Sequence, residues 1–106
     1  MRLAPRTALV TGAARGIGLA IAGRLAADGL LVALLDLDSA AVEAAATGVG
    51  RGALALAADV TRSADVDRAV AAVVARWGRL DVLVTDATSA ASLIHTGRKN
   101  DKPRRK

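Results

Sequence analysis

Cysteine, tyrosine and phenylalanine do not occur in this 106-residue chain, and Trp77 is its one aromatic residue. Without cysteine there are no disulfides and no thiolate metal sites, which fits a reducing compartment. Without large rings the core must be filled by Ala, Val, Leu and Ile, which the 53% hydrophobic content supplies. The one histidine, His95, has no ligating cluster around it, so no metal site is expected. No uninterrupted apolar run approaches the roughly 18 residues that a membrane helix needs. The segment Met1-Arg2-Leu3-Ala4-Pro5-Arg6 leads straight into a glycine turn, with no room for the apolar core of a signal peptide. The expectation is a soluble, cytoplasmic protein with no membrane partner.

Lysine is absent before residue 99. The net charge of +5 therefore has a local origin: residues 98–106 hold six basic groups and one acid, whereas the other 97 residues hold nine of each. The body is neutral and the basicity is a tail. A terminal stretch of this makeup is expected to be disordered. It has no aromatic residues between its cations and room for only a few phosphate contacts, so nucleic acid is not an expected partner. The abrupt change of composition near residue 90 suggests a segment not original to the domain, for example the product of a frameshift. The expected division is a domain over residues 1–91 and a tail over 92–106.

What is present is a strict alternation. Thr7–Thr11 is a short apolar run, then glycines stand at positions 12, 16 and 18, then Ile17, Ala20, Ile21, Ala22 and Leu25 recur at helical spacing up to Gly29. Leu30–Leu35 is a continuous apolar run of strand length that stops at Asp36, as befits a parallel strand covered on both faces. Asp38 or Ser39 can cap a second helix to about Thr47, before the Gly48–Gly52 break. Ala53–Ala58 is a third apolar run, ending at Asp59-Val60. Thr61 or Ser63 can start a third helix, with Val66, Ala69, Val70, Val73, Val74 and Trp77 on one face and Gly78 to end it. Leu80–Val84 reads as a fourth strand. Strands alternating with helices predict an α/β fold, a doubly wound parallel sheet of Rossmann type. Right-handed crossovers favour the strand order 3-2-1-4, with ligands at the point where the chain reverses direction across the sheet.

A strand, a tight glycine turn and a helix start in succession make a site for phosphate. The first N–H groups of a helix lack intrahelical partners, the helix dipole favours an anion, and glycines admit a diphosphate without a Cβ in the way. Gly12, Arg15, Gly16, Ile17 and Gly18 are the residues placed to surround it. Asp36 closes the second strand, where a carboxylate can accept hydrogen bonds from both hydroxyls of an adenosine ribose. It would repel the extra phosphate of NADP, so NAD is the preferred cofactor. Arg15 can either flank the pyrophosphate or offer charge to a 2′-phosphate. A P-loop is excluded because no Gly-Lys-Ser/Thr follows the glycines.

Thr11-Gly12-Ala13-Ala14-Arg15-Gly16-Ile17-Gly18 resembles the Thr-Gly-x-x-x-Gly-x-Gly signature of the short-chain dehydrogenase/reductase family. Asp36 falls where NAD-preferring members of that family carry an acid, and Asp59-Val60 is similar to its Asp-Val pair, which borders the adenine. Leu80–Val84 resembles the family's fourth strand. These matches, in order across residues 7–84, imply the NAD-binding half of an oxidoreductase that moves hydride between a nicotinamide and an alcohol or carbonyl substrate. After the fourth strand the family has Asn-Asn-Ala-Gly. Here stands Thr85-Asp86-Ala87-Thr88, in which only Ala87 matches. The resemblance also implies a catalytic tyrosine, with a lysine four residues later to lower its pKa, and a serine that orients the substrate oxygen. An unperturbed phenol, with a pKa near 10, is a poor base at neutral pH. No tyrosine occurs, and Ser89 and Ser92 fall too early for the serine. No catalytic residue is assigned, and the chain alone is expected to be inactive, truncated before its active site and prone to self-association through an open sheet edge. The rival expectation is a non-catalytic nucleotide-binding or partner-binding module.

Overall fold

The structure is a computed structural model and describes residues 5–85. Within them the chain runs β1 (Thr7–Thr11), α1 (Gly16–Ala27), β2 (Leu31–Asp36), α2 (Ser39–Val49), β3 (Leu54–Ala57), α3 (Ser63–Trp77) and β4 (Val82–Val84). The four strands are parallel and lie in the order β3-β2-β1-β4, as the alternation of elements predicts. The reversal falls between β1 and β4, and Asp36, at the end of β2, lies beside the glycine turn that follows β1.

The period of two along the central strands sorts the core into two layers. Val10, Val32 and Leu34 face α1 and α2, where Ala22, Ala26, Val42, Ala45 and Ala46 are buried against them. Leu9, Ala33 and Leu35 face the other way, onto Ala69 and Val73 of α3. Alanine at the helix contacts lets the helices lie close to the sheet, which is how a core with one aromatic residue closes. Each fully buried Leu or Val stabilises the fold by about 1.5–3 kcal/mol, so the two central strands carry most of the core energy.

The ends of the elements are set by specific groups. After α1, the Gly29 N–H donates to the Ala26 carbonyl and the Leu30 N–H to the Leu25 carbonyl, with Gly29 at φ 97°, a paired closure that needs a left-handed residue. Asp38 caps α2 by accepting from the Ala41 N–H at 3.0 Å. Gly78 ends α3 at φ 85° and donates to the Val74 carbonyl at 2.7 Å.

Strand β2 spans Leu31–Asp36 rather than Leu30–Leu35 and β3 spans Leu54–Ala57 rather than Ala53–Ala58, and three further boundaries differ from the sequence expectation for visible reasons. Helix α2 runs to Val49, because the left-handed turn that stops it begins at Gly50. Neither Thr61 nor Ser63 caps α3: Arg62 holds the cap position without a side-chain bond, and Asp65 reaches back from the first turn to accept from the Asp59 N–H at 2.9 Å. Strand β4 begins at Val82 rather than Leu80 because Asp81 is engaged elsewhere. Its Oδ2 accepts from the Thr7 N–H at 2.8 Å, and its carboxylate takes a two-point contact from Arg79 at 2.9 and 2.8 Å. The buried Thr7 hydroxyl donates to the Arg79 carbonyl at 2.7 Å. This clasp fixes the start of β4 against the start of β1, at the end of the sheet away from the glycine turn. The basic tail, Ala87 and the boundary near residue 91 lie outside the described residues.

Candidate functional site

The glycine turn sits at the C-terminal end of β1, between β2 on one side and β4 on the other. Gly12 and Gly16 both adopt φ 62°, the left-handed region that glycine enters without strain. Gly18 is needed for a different reason. A Cβ at this position would lie 2.2 Å from the Gly12 carbonyl oxygen, so the first turn of α1 packs directly on the backbone of the loop. That close packing fixes the loop against the start of the helix.

Helix α1 starts without a side-chain cap and with no acid in its first turn. Its first N–H groups and its dipole are thus left to an anionic ligand. Arg15 precedes the helix in extended backbone (φ −161°, ψ 172°), is exposed, and makes no ion pair among the described residues. A cavity of about 580 Å³ opens here, lined by Thr11, Gly12, Arg15, Ile17, Gly18 and Ile21 on one side and by Val84 and Thr85 on the other. It therefore spans the reversal point of the sheet, where such folds take their ligands. Ile17, 79% exposed, stands at its rim.

Asp36 closes β2 beside this turn. Its Oδ2 accepts from the Ala14 N–H at 3.0 Å and its Oδ1 from the Leu37 N–H at 2.7 Å. Each carboxylate oxygen retains a further lone pair for a hydroxyl donor. The Ala13 N–H donates to the Leu35 carbonyl at 3.1 Å and the Ala58 N–H to the Asp36 carbonyl at 3.0 Å, so the ends of β1, β2 and β3 are stitched side by side. Leu37, 69% exposed, adds an apolar surface next to the carboxylate.

Farther along the same edge, Asp59 follows β3. Its Oδ1 accepts from the Thr61 hydroxyl at 2.6 Å and the Thr61 N–H at 2.9 Å, and these two donors hold its carboxyl below the usual carboxylate range. Val60 is half-buried against the α3 layer. Asp59 and Val60 are thus on the same edge as Asp36 and the glycine turn, whereas Ala87 falls outside the described residues. The sequence motifs include Thr11 and Thr85 without giving them a site role, Ile21 and Val84 are read only as parts of α1 and β4, and Leu37 belongs to no motif. Their common signal is position, since each stands at the C-terminal end of a strand or on the first turns of α1. No cluster of three or more His, Asp or Glu able to hold a metal occurs among the described residues.

A dinucleotide fits these residues: an uncapped helix start, a glycine loop packed directly on the first turn of that helix, and a carboxylate at the neighbouring strand end. Comparison with known proteins points the same way. The family model for short chain dehydrogenase matches residues 6–102. A sorbitol dehydrogenase of Cereibacter sphaeroides is 47% identical over 87 residues, covering 82% of this chain and 34% of that protein. A galactitol 2-dehydrogenase of Agrobacterium fabrum is 45% identical over 87 residues, again covering 82% of this chain and 34% of that protein. Among solved structures, a 3-ketoacyl-(acyl-carrier-protein) reductase from Brucella melitensis, complexed with NADH, superposes with a TM-score of 0.71 at 44% identity, over 74% of this chain and 32% of that one. The chain spans about a third of the length of the curated relatives it matches.

Proposed function

The chain belongs to the short-chain dehydrogenase family, and from that premise we propose that residues 7–84 form the nicotinamide-dinucleotide site of an oxidoreductase. The observation that carries the proposal is Asp36, whose carboxylate is held 3.0 Å from the Ala14 N–H of the glycine turn, so that ribose and pyrophosphate subsites adjoin. In this reading Gly12, Arg15, Gly16, Ile17 and Gly18 surround the pyrophosphate. Asp36 receives the ribose hydroxyls, and Asp59 and Val60 border the adenine. Ala87 is assigned to the nicotinamide side by resemblance. A fixed negative charge at Asp36 disfavours a 2′-phosphate, so the cofactor is NAD rather than NADP. The bound nicotinamide would supply hydride exchange with an alcohol or carbonyl carbon.

This chain's own residues bind and orient. They contain no tyrosine to give or take the hydroxyl proton, so the chain by itself is inactive and a complete site needs that group from elsewhere. The lack of tyrosine also favours a second reading, a nucleotide-binding module that docks on another polypeptide. The two are separated by whether a Tyr-x-x-x-Lys segment, added in trans, yields turnover. No helix among the described residues is long and apolar enough to cross a membrane, and a cytoplasmic protein is the proposed setting.

The test is a fluorescence titration with NADH and NADPH. Wild type should bind NADH more tightly than NADPH, and Asp36→Ala should weaken NADH by about tenfold or more, the loss expected for charge-assisted hydrogen bonds. Equal weak binding of NADH by both proteins would discard the ribose assignment.

A further inference from the structure

We infer that Asp36 is also a positioning residue for the pyrophosphate cradle, so that losing it weakens the binding of a ligand that has no ribose at all. The ligand half of this inference rests on the dinucleotide reading above. The structural half rests on the chain alone.

The turn from Gly12 to Arg15 has few anchors of its own. Gly12 has left-handed backbone, as does Gly16 where the helix begins, and α1 starts without a side-chain cap. Two consecutive amides fasten it instead to the end of β2. The Ala13 N–H reaches the Leu35 carbonyl at 3.1 Å, and the Ala14 N–H reaches the Asp36 carboxylate at 3.0 Å. Ala13 is fully buried and Ala14 is 9% exposed, so this second bond is partly buried, and its acceptor is charged, which strengthens it.

The carboxylate is itself held. Its other oxygen accepts from the Leu37 N–H at 2.7 Å, and the Asp36 carbonyl accepts from the Ala58 N–H at 3.0 Å. A rigid side chain at a strand end thus sets the conformation of the loop that presents the helix N–H groups. An anion bound by such groups is sensitive to their orientation, and ordering the loop in advance lowers the entropy lost on binding. One consequence concerns cofactor choice. Removing the Asp36 charge to admit a 2′-phosphate also releases the brace, so Asp36→Ala gains less affinity for NADPH than charge removal alone would give.

The experiment compares two neutral variants of the full chain, Asp36→Asn and Asp36→Ala, beside wild type. Asparagine can present its one acceptor oxygen to the Ala14 N–H, leaving the exposed Leu37 N–H to water, and alanine cannot, while both remove the charge that repels an anion. Site-resolved hydrogen exchange at the Ala14 amide of the free chain reads the brace, and calorimetric titration with inorganic pyrophosphate reads the cradle. Exchange at Ala14 should be about tenfold faster in Asp36→Ala than in Asp36→Asn, the loss expected of one partly buried hydrogen bond. Pyrophosphate should bind Asp36→Ala several-fold more weakly than Asp36→Asn. Equal pyrophosphate affinities in the two variants overturn the inference, whatever the exchange rates. NADH serves as the separate arm: if wild type binds pyrophosphate but not NADH, the dinucleotide reading fails while the comparison of the two variants still decides the brace.

Discussion

Gly18 and Gly23 stand five residues apart on the same helix, and the chain needs the first as glycine but not the second. An alanine methyl at position 18 would lie 2.2 Å from the Gly12 carbonyl oxygen and 2.8 Å from its carbonyl carbon, both backbone atoms that a side-chain rotation cannot move. The loop or the helix must shift. Gly18→Ala is therefore expected to destabilise the domain by about 1–3 kcal/mol, the usual range for forced overpacking, and to disturb the cradle. At Gly23 an added methyl would meet nothing within 4 Å, and the backbone is helical. Gly23→Ala should instead stabilise by about 0.5–1 kcal/mol, because alanine loses less conformational freedom in a helix. Urea denaturation of the two variants checks both signs. A midpoint that falls for both, or for neither, would contradict the packing seen at the turn.

At the scale of elements, strand and helix type followed from local periodicity, and so did the order of the sheet once right-handed crossovers were imposed. The glycine spacing and Asp36 were legible for the same reason, since a turn geometry and a strand end are local facts. What was not legible depends on groups brought together by folding. The start of β4 is set by Thr7, 74 residues earlier in the chain, and the bond from Ala14 to Asp36 exists only because two strand ends lie side by side. The Asp81 clasp also gives β4 a pH dependence. The Arg79 guanidinium first, and the Thr7 N–H second, hold the Asp81 carboxyl below its ordinary value. A carboxyl depressed in the folded state stabilises fully above its unfolded pKa, about 3.9, and that contribution is lost as pH falls through the lower folded value. Asp59 and Asp65 are shifted in the same direction and add to the same acid limb. Wild type should therefore unfold at higher urea than Asp81→Asn near neutral pH, with the gap closing toward pH values below the folded pKa. A gap that stays constant down the acid limb would mean that the clasp contributes through shape and not through charge.

For the whole molecule the two faces and two edges of the sheet are unequally protected. Helices α1 and α2 share one face, whereas α3 alone covers the other among the described residues, leaving Val74 43% exposed and Trp77 half-buried. Among the described residues β3 pairs only with β2, and β4 only with β1. Both outer strands are apolar, Leu54-Ala55-Leu56-Ala57 and Val82-Leu83-Val84, with no charge or proline of the kind that discourages edge pairing. All three β4 residues keep part of their surface, although their neighbours in β1 are fully covered. A parallel edge of this composition invites a further strand, from a second copy or from a partner that completes the sheet. The chain should therefore associate as its concentration rises, with the weight-average mass in sedimentation velocity climbing above that of the monomer. Val82→Lys tests the route: this residue belongs to neither core cluster, so a charge there should blunt the edge without emptying the core. Reduced association with an unchanged circular dichroism spectrum would assign the contact to β4. A wild-type chain that stays a single monomeric species at every concentration would show instead that the β4 edge does not pair in solution.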